Sequence, residues 1–476
     1  MNIFRNLRFF CFLLLASFTI TLFAEVDVKN AKPVKYVFLF VGDGMGTAQR
    51  QITEAYSKAT LGRTLAMNDM PFSADTTTTL SNGKVTDSAA AATAIACGVK
   101  AKKASLGINE NGESVSTCAE DAKKAGKKIG IISTSAINHA TPAGFYAHSK
   151  SRGDVKLISQ QALDSGFDFF AGASFIARKE YKVDGNKEVF VAAKDRGYTV
   201  VKDKKGDFDK ITTNDKKVIA SYHLPRAITD KNYRPSLADF LTKAIEILDN
   251  PNGFFIMCEG SAIDWVCHAN DIAGAIFETL ALDDAVRVAV EFAKKHPNDT
   301  LIITTGDHET GGLDIVDISK LDPAFINKQK NVSSYFLGKI KHASKHKKDK
   351  FSFDYAMGKI EKYFNFNHSE NTKLTEDEIE YLRKPFYLQY SKNFSAEIKM
   401  SAKEKADNKY EAYKNFRYPF DNLVMKMYAK KVGLNWTTQS HTKRPLLTTA
   451  MGKNAELVKG KIDNTDIGKI LKASVK

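Results

Sequence analysis

Four short runs along the chain consist largely of β-branched, aromatic and other apolar residues: YVFLFV (36–41), KIGIIST (128–134), GFFIMC (253–258) and TLIITT (300–305). Apolar runs of this length, without polar alternation, are the pattern of strands buried on both faces. Between the last two, DIAGAIFETLALDDAVRVAVEFAKKH places apolar residues at helical spacing, with Lys294, Lys295 and His296 in the last turn and Pro297 as the stop. Strand, helix, strand in that order predicts a right-handed crossover. The fold expected is α/β, with a large central, mostly parallel sheet and helices on both faces.

A different pattern runs through KVTDSAAAATAIACGVKA (84–101), where a polar Thr-Asp-Ser heads a run of small apolar residues ending in Cys-Gly. Alanine is the best helix former and Gly98 suits a C-terminal stop, so this is a helix whose smallness allows close packing. Thr86, Asp87 or Ser88 caps it, and Ser88 lies where backbone N–H groups attract anions. From 317 to 425 the chain turns Lys-, Asn- and Tyr-rich. We read that segment as a helical insertion on the rim of the sheet, with a capping box from Thr375 to Glu378. The tail GKIDNTDIGKILKASV is read as a closing amphipathic helix, and no repeat of 20 to 50 residues is present.

Residues 1–24 carry Arg5 and Arg8, then an uncharged run from Phe9 to Ala24. This is the pattern of a signal peptide cut after Ala24, with a retained anchor as the competing reading. The expectation is a single catalytic domain over 25–476, exported to the periplasm or medium, with no membrane span after cleavage. Loss of Cys11 with the leader leaves Cys97, Cys118, Cys258 and Cys267, none of them in a Cys-x-x-Cys pair. A thiolate zinc site is therefore not expected, while the pairing of these cysteines stays open. The formal net charge of +15 is partly local, in KIKHASKHKKDK (339–350). No recognition helix, zinc finger or aromatic RNA-binding motif accompanies it, so specific nucleic-acid binding is not expected.

Ligands of open α/β sheets bind beyond the carboxyl ends of the strands. All four predicted strands lead there into ligand-type side chains. GDGMG brings Asp43; SAINHATPAGFYAHSKSRGD brings His139, Thr141 and Arg152; EGSAIDWVCHAND brings Glu259, Asp264 and His268; GDHETGG brings Asp307 and His308. So many carboxylates at one sheet edge would repel one another unless cations gathered them. Carboxylates and imidazoles without thiolates suit zinc and a harder, oxygen-loving ion such as magnesium. Two cations about 4 Å apart can also drive an in-line phosphoryl displacement.

The motifs VGDGMG, VTDSAAAATA, HATPAGFYAHSKSR, EGSAIDWVCHAND, TTGDHETGG and the late QSHTKRP, in that order, resemble the metal-dependent alkaline phosphatases. The resemblance covers about 35–315 and returns near 436–476; the insertion lies outside it. It implies that Ser88 is the nucleophile, passing through a phosphoseryl intermediate. It further implies a first zinc on Asp264, His268 and His441, and a second on Asp43, Asp307, His308 and the Ser88 oxygen. A magnesium would be bridged by Asp43 and bound by Thr141 and Glu259, and Arg152, oriented by Asp87, would grip two phosphate oxygens. Two positions depart from the best-known bacterial pattern: His139 stands where an aspartate is often found beside the magnesium, and Trp265 where a lysine often follows the zinc-binding aspartate. Both could instead be packing partners.

The activity implied is hydrolysis of small phosphate monoesters; homodimers are common among such relatives. A phosphodiesterase or nucleotide pyrophosphatase is the nearest enzyme alternative, disfavoured because Arg152 can bind two free oxygens that a diester lacks. A sulfatase is disfavoured because TDSAAAA lacks the Cys-x-Pro-x-Arg context of its modified nucleophile. An inactive phosphate-binding protein is the reading from outside enzymology.

Overall fold

Every residue of Tyr36–Gly42, Phe254–Gly260 and Thr300–Gly306 is buried, and successive side chains face opposite sides of the sheet, which divides the interior into two layers. The computed structural model describes residues 26–176, 182–202, 206–222, 226–229, 235–346, 351–390 and 419–476. The proposed leader lies outside these residues, as do parts of the basic run and of the 317–425 segment.

The four apolar runs are strands β1 (Tyr36–Gly42), β3 (Lys128–Ser133), β7 (Phe254–Gly260) and β8 (Thr300–Gly306). The remaining strands are β2 (Phe72–Thr77), β4 (Phe169–Gly172), β5 (Thr199–Lys202), β6 (Val218–Ser221), β9 (Glu309–Thr310), β10 (Leu313–Ile315), β11 (Leu434–Trp436), β12 (His441–Thr442), β13 (Leu446–Gly452) and β14 (Gly460–Asp463). Ten of them form one sheet in the order β14-β2-β13-β8-β1-β7-β3-β4-β6-β5. β13 runs antiparallel to both its neighbours, and the other pairs in the sheet are parallel. The mostly parallel sheet expected from the sequence is present.

Tyr36, Phe38 and Phe40 of β1 face one core layer with Phe254 and Ile256 of β7, under the helices Thr47–Leu61, Leu237–Leu248 and Ile272–Lys295. Val37, Leu39 and Val41 face the other, under Ser88–Cys97, Val155–Asp164 and Asn464–Ser474. Each buried aliphatic or aromatic side chain contributes roughly 1.5–3 kcal/mol, so covering both faces is the main stabilising force.

The small-residue run forms the helix Ser88–Cys97, every residue of it buried. Asp87 is its N-cap, accepting from Ala90 N at 3.3 Å, and Gly98 ends it in the left-handed region at φ 73°. Small side chains are required because two neighbours come very close. A Cβ on Gly144 would lie 2.7 Å from Ala92 Cβ, and one on Gly468 would lie 2.5 Å from Gly98 N.

The tail departs from expectation in its first four residues. Gly460–Asp463 is a strand at the edge of the sheet, with Ile462 buried opposite Thr76, and the helix begins only at Asn464. Asp463 ends the strand and starts the helix by accepting from Thr465 N at 3.1 Å. The Lys-rich segment contains the helices Ser333–His346, Phe353–Phe364 and Glu376–Tyr390, and Pro419–Lys431 begins within it and runs beyond residue 425. The Thr375–Glu378 capping box is formed, with reciprocal bonds of 3.0 and 3.2 Å. Phe336, Ile340, Phe386, Phe420 and Tyr428 join these helices to the first core layer. The four cysteines among the described residues, Cys97, Cys118, Cys258 and Cys267, are buried thiols. Among the described residues, no helix is long and apolar enough to cross a membrane.

Candidate active site

The three central strands end in register on glycine: Gly42 lies opposite Gly260 on one side and Gly306 on the other. The next residues therefore emerge side by side, which brings Asp43 and Asp307 together. Gly44 follows at φ +73°, where a Cβ would meet Asp264 Cα at 2.8 Å, so the turn that carries Asp43 needs a glycine there. Gly44 N and His308 N both donate to Asp307 Oδ1, at 3.0 and 2.8 Å. Glu259, one residue before the end of β7, sits opposite Ser133 of β3, and the Ser133 hydroxyl donates to its Oε2.

Helical spacing places Asp264 and His268 on one face of Ala262–His268, with Nε2 of the histidine 3.3 Å from Asp264 Oδ2. His441 arrives from far along the chain because β12 pairs with β9, opposing His441 to Thr310. Its ring stacks on His308 with centroids 3.6 Å apart, and its Nε2 lies 3.2 Å from His268 Nε2 and 3.5 Å from Asp264 Oδ1. Backbone carbonyls accept from the far nitrogens of these rings, Gln439 O from His268 at 2.5 Å and Thr86 O from His441 at 3.1 Å, leaving both Nε2 atoms turned inward.

Ser88, buried at the helix N-terminus, has its Oγ 3.4 Å from His308 Nε2. Asp87 accepts from Ala104 N at 2.9 Å and from Arg152 Nη1 at 3.2 Å. Arg152 Nη2 lies 3.4 Å from His139 Nε2, and His139 meets Trp265 edge to face at 6.0 Å. Trp265 is 36% exposed, so it does not serve the core.

Three sets of ligand atoms each fall within 4.8 Å of one another: Asp264, His308 and His441; Asp43, Asp307 and His308; and Asp43, His139 and Glu259. Their electrostatics are those of a site awaiting positive charge. Burial, followed by the charges of Asp307, Asp264 and Glu259, pushes the Asp43 carboxyl far above its usual range. Burial likewise raises Glu259 and Asp307 to about 7. It pulls His308 well down and His139 to about 4. Around Asp264 burial is outweighed: hydrogen bonds from His268 and His441 hold its carboxyl well below the usual range, and both imidazoles are raised in return. Both Asp43 oxygens, Asp307 Oδ2, Glu259 Oε1 and Thr141 Oγ1 are buried without a hydrogen-bond partner. Leaving so many buried acceptors unsatisfied is costly, and divalent cations are the groups that fit them.

Every residue expected from the sequence thus lies at this sheet edge or against it. Sequence reasoning missed the supports. Thr310 donates to Asp264 Oδ1 at 2.6 Å, and buried Glu309 accepts from Gln49 Nε2 at 3.0 Å, from Gly312 N at 3.1 Å and from the Thr442 hydroxyl. Both stand in the GDHETGG motif, so proximity to Asp307 was the available signal. Arg226, whose guanidinium lies over the Trp265 ring at 4.3 Å, had no such signal.

A family model described as alkaline phosphatase matches residues 34–174 and 172–476. Alkaline phosphatase 3 of Bacillus subtilis is 31% identical over 478 residues, which span 94% of this chain and 90% of that protein. The cold-active alkaline phosphatase of a psychrophilic Shewanella aligns with a TM-score of 0.71 at 25% identity, over 92% of this chain and 98% of that one. A mutant of the TAB5 alkaline phosphatase, solved with Mg bound, aligns with a TM-score of 0.62 at 25% identity, over 93% and 99%. With this likeness over nearly its whole length, and with a buried carboxylate–imidazole cluster at the strand ends, the chain belongs to the alkaline phosphatase family, enzymes that hydrolyse phosphate monoesters.

Proposed function

We propose that the chain hydrolyses phosphate monoesters by double displacement through Ser88, with two zinc ions and one magnesium as cofactors. The observation that carries this reading is the set of buried, unpartnered carboxylate oxygens converging beside a serine at a helix N-terminus. Asp264, His268 and His441 hold one zinc. Asp43, Asp307, His308 and Ser88 Oγ hold the other, and Asp43, Thr141 and Glu259 hold the magnesium. A mutant of the TAB5 relative solved with Mg bound supports magnesium as one of the ions. Bound there, the cations supply Lewis-acid stabilisation of developing negative charge and lower the pKa of a hydroxyl.

Ser88 Oγ attacks phosphorus and the ester oxygen departs, giving a phosphoserine; water then breaks the Ser88 O–P bond and inorganic phosphate leaves. Arg152 grips two phosphoryl oxygens, held at its angle by Asp87, which is itself fixed by the N–H groups of Ala90 and Ala104. The N-terminal end of Ser88–Cys97 adds its partial positive charge on the same side. His139 borders Arg152, and Trp265 meets the His139 ring from outside. Export by the leader puts this activity in the periplasm or outside the cell. We further take the chain as one catalytic domain carrying the 317–425 insertion, working as a homodimer.

The decisive assay uses purified protein on p-nitrophenyl phosphate and its bis ester, with chelator and after readdition of zinc and magnesium. Monoester turnover lost to chelator and recovered with both ions is the expected result. Preference for the bis ester, or indifference to chelator, would overturn the reading.

A further inference from the structure

Arg226 takes no part in the chemistry above, yet it lies on the outer wall of the same site. Its guanidinium sits over Trp265 at 4.3 Å; Trp265 meets His139 edge to face at 6.0 Å; and His139 Nε2 lies 3.4 Å from Arg152 Nη2. Arg226 is therefore separated from the phosphate-gripping Arg152 by two side chains. It is half-buried, which costs a charged group, yet no described residue accepts a hydrogen bond from its guanidinium. The backbone beside it is anchored: Ala227 N donates at 2.9 Å to Glu278 Oε1, from a buried carboxylate on the helix Ile272–Lys295. The Glu278 charge acts on Arg226 without hydrogen-bonding to it. A guanidinium placed over an exposed indole beside an anchored backbone, with no hydrogen-bond acceptor among the described residues, is preorganised for an anion.

We propose that Arg226 is a specificity-determining residue that binds a second negative charge, a carboxylate or a further phosphate, on the leaving group of the substrate. The phosphoryl group being transferred meets Arg152; what is attached to it extends toward Trp265 and Arg226. The favoured substrates are accordingly monoesters of anionic alcohols. This rests on the monoesterase reading above.

The test compares matched substrates: phosphoglycolate, whose leaving group carries a carboxylate; ethylene glycol bisphosphate, whose leaving group carries a phosphate; and ethyl phosphate, whose leaving group carries neither. In Arg226→Gln, the kcat/KM ratio of phosphoglycolate or of the bisphosphate to ethyl phosphate should fall about tenfold, mainly through KM, the size expected for one charge-assisted hydrogen bond. Loss for one anion alone assigns the site to carboxylates or to phosphates. Arg226→Lys should recover part of the ratio, and high salt should shrink the wild-type preference. Equal losses on all three substrates, or unchanged ratios, overturn the proposal. Failure of the wild-type protein on ethyl phosphate would instead defeat the underlying monoesterase reading.

Discussion

A single hydroxyl carries the proposed chemistry, and its surroundings make the prediction severe. Ser88→Ala removes one oxygen from a buried position at a helix start and keeps the β-carbon that packs there. Stability should barely change, because Asp87 rather than Ser88 caps the helix. Turnover of p-nitrophenyl phosphate should fall on the order of a thousandfold or more, as when a covalent nucleophile is lost. Substantial turnover in a well-folded variant would mean that water, not this serine, attacks phosphorus. At this scale the sequence was legible wherever a ligand-type residue directly follows an apolar run, as Asp43 and Asp307 do. It was silent on Arg226, because nothing local links that residue to Trp265 some forty positions away; only packing makes them neighbours.

At the scale of elements, close packing of the helices Ser88–Cys97 and Asn464–Ser474 is what fixes the position of the serine. Gly468→Ala is instructive because two effects oppose. Alanine in place of glycine favours a helix by about 1 kcal/mol. The added methyl, however, would meet Gly98 N at 2.5 Å and Ala94 O at 2.7 Å, backbone atoms that cannot swing aside. Overpacking of that kind costs roughly 1–3 kcal/mol, so net destabilisation is expected, read as a lower urea midpoint with unchanged slope. A raised midpoint would show that the helices can separate without penalty. Elements were legible where their pattern was long or wholly apolar, as in the 24-residue helix Ile272–Lys295. β2 (FSADTT) and β14 (GKID) carry too many polar residues to announce themselves, being paired near the edge of the sheet where solvent takes up alternate side chains. That is why the start of the tail read as helix.

For the whole molecule, the cation site couples chemistry to stability. Without cations, burial raises Glu259 and Asp307 to about 7 and Asp43 further. A carboxyl whose folded pKa exceeds its unfolded value favours the folded state while protonated and opposes it once ionised. Chelated protein should therefore lose stability as pH rises through 7, whereas loaded protein, in which cations have displaced the protons, should not. The gap between their melting temperatures should widen from pH 6 to pH 8; a constant or narrowing gap would mean that these acids do not bind the ions. The shared ending of β1, β7 and β8 on Gly42, Gly260 and Gly306 has a further consequence, for how such an enzyme can vary. Inserting or deleting one residue in any of these strands would slide its acid by about 3.3 Å and turn it to the opposite face. The centre therefore tolerates exchange of one side chain for another but not a change in chain length, which only segments outside these strands can absorb without moving the acids.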